Sequence, residues 1–290
     1  HSVGLTLLQS ATGYHYEESS MAAEGIPLES AKWNALSKEN VSLLDEWNSG
    51  LIEKQLLSYM FRVNYDYNNK YLLTVSGRWD GASQLAEGNK WAFFPSAALG
   101  WRLDQEEFLK DVTWLNQLKF RLGVGVTGNS AIDPYQTKGA IVSLYYPFGS
   151  ALAPGYAASE PLIKDGAVAM ANKNLSWEKT TQYNIGLDYS VLNGRISGVL
   201  DFYTSRTTDL LMAMTIPSLN GYTNTYDNVG KTSNIGVDIT LNTVNVKTRD
   251  FEWSTSINAA WQKDKIDELA NGKEDDINNN WFIGQALGVI

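Results

Sequence analysis

Residues 58–80 read SYMFRVNYDYNNKYLLTVSGRWD, and the alternation within this stretch decides the fold. From Ser58 to Tyr67, one set of alternate positions is Tyr59, Phe61, Val63, Tyr65 and Tyr67, and the other is Ser58, Met60, Arg62, Asn64 and Asp66. From Tyr71 to Asp80 the two sets are Tyr71, Leu73, Val75, Gly77, Trp79 and Leu72, Thr74, Ser76, Arg78, Asp80. Successive side chains of an extended strand point to opposite faces, so a period of two separates an apolar face from a largely polar one. Asn68-Asn69-Lys70 between the runs is a hairpin signal, because Asn tolerates the left-handed backbone that a tight turn needs.

Working outward, similar runs are predicted at Trp91 to Leu103, Leu118 to Thr127, Gln182 to Val191, Arg195 to Ser205, Asn234 to Val244 and Phe251 to Gln262, with weaker ones at Val3 to Ser10 and Trp281 to Ile290. That makes about ten strands, and the only helical signals are short turns near Ser42 to Glu53 and Glu106 to Trp114. The links alternate in length. Short ones are expected at Asn68 to Lys70, Leu192 to Gly194 and Asn245 to Asp250, with a medium one at Asp104 to Gln117. Long ones are expected at Ala11 to Lys54, Gly81 to Lys90, Gly128 to Ser176, Arg206 to Ser233 and Lys263 to Asn280. Short turns at one end and long loops at the other are the layout of an up-and-down outer-membrane barrel. The chain therefore reads as all-β, a single domain with neither a fixed repeat period nor a linker.

A soluble sandwich would use the same alternation to bury its apolar face. Two features favour the membrane. Several apolar faces carry an aromatic at each end: Tyr59 and Tyr67, Tyr71 and Trp79, Phe93 and Trp101, Tyr183 and Tyr189, Trp253 and Trp261. On tilted strands such pairs sit at the two rims of an apolar band about 25 Å tall. The polar faces, in turn, carry Arg62, Asn64, Arg78, Asp80, Arg121, Asn184, Asp188, Asp201 and Asp238, which suits a wide wet lumen.

Composition excludes more than it assigns. Aromatic residues make up 12% of the chain, with 10 Trp and 15 Tyr, which favours β structure and contact with sugars or lipid headgroups. A formal net charge of −9 with no basic cluster argues against nucleic acid. There is no Cys, so disulfides and thiol chemistry are excluded. No apolar run reaches the roughly 18 residues of a membrane-crossing helix. His1 and His15 are too few for a catalytic triad or metal cluster, and no nucleophile-elbow or phosphate-loop pattern is present. The acidic stretch Asp264 to Asn280 has oxygen ligands but lacks the order of a calcium-binding loop. No enzyme activity, cofactor or metal is expected.

Several blocks of sequence resemble the SusC/RagA family of TonB-dependent outer-membrane transporters. They are Arg78-Trp79-Asp80-Gly81-Ala82-Ser83 with Trp91, Phe94-Pro95-Ser96 and Gly100-Trp101-Arg102; then Trp114-Leu115, Leu118-Lys119, Arg121, Gly125 and Thr127-Gly128-Asn129. Next are Asn174-Leu175-Ser176-Trp177-Glu178-Lys179 with Gln182, Asn184, Gly186 and Asp188, then Tyr203, Arg206, Thr207 and Asp209-Leu210-Leu211. Asn228-Val229-Gly230, Asn234, Gly236-Val237 and Ile283-Gly284-Gln285 complete the series in the family's order. The resemblance implies a 22-stranded barrel with a plugged lumen, of which this chain would be one portion. It implies import of oligosaccharides or oligopeptides, driven by TonB and assisted by a SusD-like surface lipoprotein lid. The chain departs from the family by omission, lacking a plug, a TonB box and enough strands to close.

Sugar rings stack on aromatic faces while Asn and Asp exchange hydrogen bonds with hydroxyls. The loop residues expected to meet a ligand are Tyr14, Trp33, Trp47, Tyr145, Tyr146, Tyr156, Asn220, Tyr222, Asn224, Tyr226 and Asp227. Packing of the loops onto one another is the competing use for each. Oligosaccharide is the first expectation for the cargo and oligopeptide the second. A soluble sugar-binding sandwich and a passive porin or adhesin are the alternatives to a transporter.

Overall fold

The computed structural model describes residues 1–24, 42–138, 142–149, 151–157, 169–217, 219, 222, 224–270, 272–277 and 280–286. Its strands are β1 (Ser2–Glu24), β2 (Ser42–Tyr67), β3 (Tyr71–Ala82), β4 (Trp91–Arg102), β5 (Leu115–Asn129), β6 (Val142–Phe148), β7 (Ala151–Ala157), β8 (Ala169–Met170), β9 (Glu178–Val191), β10 (Ile196–Thr208), β11 (Leu211–Thr215), β12 (Asn224–Asn228), β13 (Lys231–Lys247) and β14 (Glu252–Glu268). Nine of them form one sheet in the order β1-β2-β3-β4-β5-β9-β10-β13-β14. Every neighbouring pair in it is antiparallel. The remaining strands form two small sheets, β11-β12-β8 and β6-β7, within the long links.

Register carries the two-faced pattern across the whole sheet. Tyr65, Leu73, Leu99, Leu122, Ile185, Phe202, Val237 and Trp261 form one transverse row. Among the described residues no second layer covers this face. Leu73, Leu99, Leu122, Ile185, Phe202 and Trp261 are all exposed, Trp261 by 57%. A water-soluble sandwich buries its apolar side chains between two sheets, so this bare face rules out that alternative. Aromatic neighbours line up along the rims of the face: Tyr67 with Tyr71, Tyr71 with Trp101, and Trp79 with Phe93, with ring centroids 6.1, 6.4 and 4.5 Å apart.

The short links lie where expected, with Asn68 and Asn69 at φ 53° and 54°, and Leu192, Asn193 and Gly194 at 55°, 57° and 78°. The medium link is built from 3-10 turns at Leu103–Gln105 and Glu107–Leu109. Three expectations need correction. Ala11 to Lys54 is not one long loop, because β1 runs to Glu24 and β2 begins at Ser42. The same strand replaces the helical turn expected at Ser42 to Glu53. Over 11–21 and 51–54, where side chains are described, both faces are exposed, so the ladder holds these segments extended without alternation. Finally, the strand expected at Trp281 to Ile290 is not formed over residues 281–286, and residues 287–290 lie outside the described ones. Residues 281–286 make only isolated bridges, Asp276 to Trp281 and Ile266 to Ile283.

The compact apolar cluster lies at the long-link end, where Ala82, Leu85, Ala86, Phe94, Ile132, Leu175 and Trp177 pack together. Trp177 Nε1 donates to the Lys90 carbonyl at 2.9 Å, and Asn228 spans two segments by accepting from the Ser176 N–H and donating to the Ser176 and Asp209 carbonyls. At the short-link end, Glu106 is the counterpart. It accepts from Tyr71 Oη at 2.8 Å and Trp101 Nε1 at 2.9 Å, and it pairs with Lys70 at 2.6 Å.

Two outcomes test this description. Gly198 sits so close to β13 that a Cβ would lie 2.3 Å from the Thr240 carbonyl oxygen and 2.6 Å from Tyr189 Oη, whereas a Cβ at Gly123 would meet nothing nearer than 3.9 Å. Gly198→Ala should therefore lose about 1–3 kcal/mol in urea unfolding followed by heat-modifiable gel mobility, with Gly123→Ala much less affected. The Lys70 ammonium, with the Trp101 and Tyr71 donors, holds Glu106 at about 2, below its ordinary 4.5. Stability from this clamp is thus complete above about pH 4.5 and is lost as pH falls through about 2. Titrating the Trp101 indole N–H resonance should place its shift in that window, and a midpoint near 4.5 would show that the clamp does not form.

Candidate functional site

The nine polar-face residues singled out in the sequence all fall on the face opposite the apolar one. Their parity follows from register: Arg62 pairs with Ser76, Asn64 with Thr74, Arg78 with Met60, Asp80 with Ser58, Arg121 with Gly186, Asn184 with Gly123, Asp188 with Lys119, and Asp201 with Asp238. The most developed constellation is around Arg121 on β5. Its Nε donates to Asp188 Oδ1 at 2.8 Å, and its Nη2 donates to both carboxylate oxygens of Asp201 at 3.0 Å. Asn184 Nδ2 also donates to Asp201 Oδ1 at 3.2 Å. The guanidinium thus ties β5, β9 and β10 together across the polar face.

Gly186 makes room for this arrangement. A Cβ there would stand 2.5 Å from Asp201 Oδ1 and 2.6 Å from Arg121 Nη2. The three charged side chains are 21–30% exposed, so they are partly withdrawn from water and depend on one another. A second group lies nearer the long links, where Arg78 Nε pairs with Asp80 at 2.6 Å and its Nη2 donates to the buried Ser58 hydroxyl at 3.0 Å. Arg62 and Asp238 have no ion-pair partner among the described residues. Six strand spacings separate β2 from β13, roughly 29 Å, so Asp238 does not serve Arg62 as a neighbour.

Of the residues expected to contact a ligand, the side chains of Tyr14, Tyr222, Tyr226 and Asp227 are among those described. Tyr14 is on β1, on the polar-face side, with Lys54 Nζ 4.8 Å from its ring centroid. Trp47 is on β2 opposite Met21, Tyr145 and Tyr146 are on β6, Tyr156 on β7 and Asn224 on β12, and the side chains of these five lie outside the described residues. Trp33 and Asn220 lie outside them altogether, and Tyr222 is half-buried. Tyr226 packs against the apolar cluster, and Asp227 accepts from Asn172 Nδ2 at 2.9 Å and from the Asn228 N–H at 2.8 Å. These two residues build the loop. Of the structural side chains, Asn172 was missed and Asn228 was noted only as part of the Asn228-Val229-Gly230 block, because no periodic signal in the sequence marks their role.

Among the described residues no cluster of three or more His, Asp or Glu could hold a metal. The acidic stretch from Asp264 is not a loop at its start, since β14 runs to Glu268 with Lys265 paired to Asp267.

A single-layer antiparallel sheet with a bare apolar face, a charged opposite face and aromatic rims is the wall of an outer-membrane β-barrel. The profile of the family described as TonB dependent receptor-like, beta-barrel, matches residues 6–287. The chain is 38% identical to the TonB-dependent receptor SusC of Bacteroides thetaiotaomicron over 84% of its length, and 33% identical to the TonB-dependent receptor P3 of Formosa agariphila over 99%. It spans 24% and 28% of those two proteins. The RagAB peptide importer in its open-open state matches 98% of this chain and 30% of the solved one, with a TM-score of 0.82 and 26% identity. The chain belongs to the TonB-dependent receptor family, in its SusC/RagA branch, and forms part of the outer-membrane barrel.

Breaking the Arg121 fork tests the polar-face constellation. Arg121→Ala should cost about 2 kcal/mol by leaving two partly buried carboxylates unpaired. Asp201→Asn in that background should recover part of the loss, as read by a double-mutant cycle in urea. Strict additivity of the two changes would show that they do not interact.

Proposed function

We propose that the full-length receptor containing this barrel portion imports nutrient oligomers, oligosaccharides first among them, across the bacterial outer membrane. The observation that carries the proposal is the paired character of the sheet: one face suited to lipid and the other lined with Arg, Asp and Asn, in a chain 38% identical to SusC. On this reading residues 1–290 are part of one transmembrane domain, and the polar face lines the lumen. Arg62, Asn64, Arg78, Asp80, Arg121, Asn184, Asp188, Asp201 and Asp238 there meet a plug, water or passing solute.

Energy comes from TonB acting on a plug outside this chain, and a SusD-like surface lipoprotein closes the extracellular side. Tyr14, Trp33, Trp47, Tyr145, Tyr146, Tyr156, Asn220, Tyr222, Asn224, Tyr226 and Asp227 are the ligand candidates, the last two held in place by their loop. No catalytic step is assigned to any residue. Oligopeptide cargo is the second reading, favoured by the similarity to the RagAB peptide importer.

Deleting the full-length gene from the source bacterium should abolish growth on an oligosaccharide as sole carbon source while leaving growth on its monosaccharide intact. Complementation with the whole gene should restore it. Loss of growth on oligopeptides with normal growth on oligosaccharides would transfer the proposal to peptide cargo, and no defect on either would overturn import of nutrient oligomers.

A further inference from the structure

The outward face changes character at the long-link end of β9, β10, β13 and β14. Above the row of Ile185, Phe202, Val237 and Trp261 comes Tyr183, Thr204, Ile235 and Lys263. The next row is Thr181, Arg206, Ser233 and Lys265, followed by Lys179, Thr208 and Lys231. Arg206, Lys265 and Lys273 line a hollow of about 420 Å³ together with Asp267 and Glu268. Those two carboxylates are already engaged, Asp267 by Lys265 at 3.0 Å and Glu268 by Lys231. Lys179, Arg206, Lys263 and Lys273 are exposed, and Arg206 and Lys273 also act on the carboxylates of the hollow, Arg206 on Asp267 and both on Glu268.

This concentration of positive charge stands out in a chain of net charge −9. It is also local. In the matching rows on β2 and β1, the outward positions are Phe61 with Leu7 and then Tyr59 with Gln9, none of them charged. Arg206 and Lys265 are separated by two strand spacings, about 10 Å, so they flank one anionic group instead of reaching for separate ones. Guanidinium and ammonium groups placed this way suit a phosphate, the first as a fork and the second as a point charge.

We propose that this hollow binds the phosphorylated headgroup of an outer-leaflet membrane lipid. A free anion would use only the cations. A lipid uses both halves of the surface, because the apolar band begins directly below on the same face, with Phe202, Val237 and Trp261 available to its chains. Headgroup phosphates lie at the height of the aromatic rim, where cations near a membrane surface gain most from them. The inference rests on the barrel standing with its long links outward, and not on what the receptor transports, so failure of the uptake experiment leaves it standing.

The test uses the full-length receptor reconstituted in phosphatidylcholine nanodiscs, with and without a bis-phosphorylated glycolipid, and native mass spectrometry of the retained lipid. Arg206→Gln, Lys263→Gln and Lys273→Gln together break no ion pair seen here. They should lower retention about a hundredfold, at about fivefold for each cation removed. Heat-modifiable gel mobility checks that the variant is folded. Should the triple variant not fold, Arg206→Gln alone is expected to lose about fivefold, with Arg206→Lys retaining part of the binding. Equal retention by the variants, equal retention of the dephosphorylated glycolipid, or inorganic phosphate binding as tightly as the lipid would each overturn the proposal.

Discussion

Hydrocarbon offers no partner to a peptide N–H or C=O, so a strand that crosses it must take both partners from its neighbours. The continuity of the nine-stranded ladder is therefore the constraint that everything else in this structure serves. β5 passes its hydrogen bonds directly to β9, although a long link with three further strands intervenes in the chain. That link folds its strands into small sheets of their own, so they never interrupt the wall. The same holds between β10 and β13, whose link carries β11 and β12 into a separate sheet with β8. Irregular backbone collects at the ends of the strands because only beyond the hydrocarbon can it find water.

Two solvents on two faces also explain what could be read from the sequence. Within the band, a one-residue slip would put every polar side chain into lipid, and the resulting selection for strict alternation makes Ser58 to Tyr67 and Tyr71 to Asp80 plain to see. Above the band both faces are wet and that pressure vanishes. The segments Ala11 to Glu24 and Ser42 to Lys54 are paired along their length apart from a register shift between Met21 and Ala23, yet they carry no pattern that distinguishes them from loop. The opposite error arises at residues 281–286, where a short mixture of apolar and polar residues mimics alternation. There Trp281 instead closes a tight bridge with Asp276.

The polar face shows the same division between what one strand reveals and what only the assembled sheet reveals. That Arg121, Asp188, Asp201 and Asp238 share a face follows from a period of two. That Arg121 takes Asp188 and Asp201 together, while Asp238 stands without an ion pair among the described residues, depends on register across β5, β9, β10 and β13. Register is a relation between distant segments and leaves no mark in any one of them. The loop aromatics were harder still, because Tyr226 could equally face a ligand or its own loop until the position of the apolar cluster was known.

A wall built on this ladder is a poor moving part. Sliding one strand by a single residue would exchange its faces, and sliding by two would pull Asp188 and Asp201 away from Arg121 while driving Asp201 or Tyr203 toward side chains for which Gly186 and Gly236 leave the only space. The cross-strand fork and the close glycine contacts therefore penalise every register except the one observed. Any opening that lets a solute through must then come from elements hung on the wall, such as the long links held by Asn172, Trp177 and Asn228, or from a body inside it. In the import proposed above, the part of such a wall is to stay fixed and to present a constant charged surface to whatever moves.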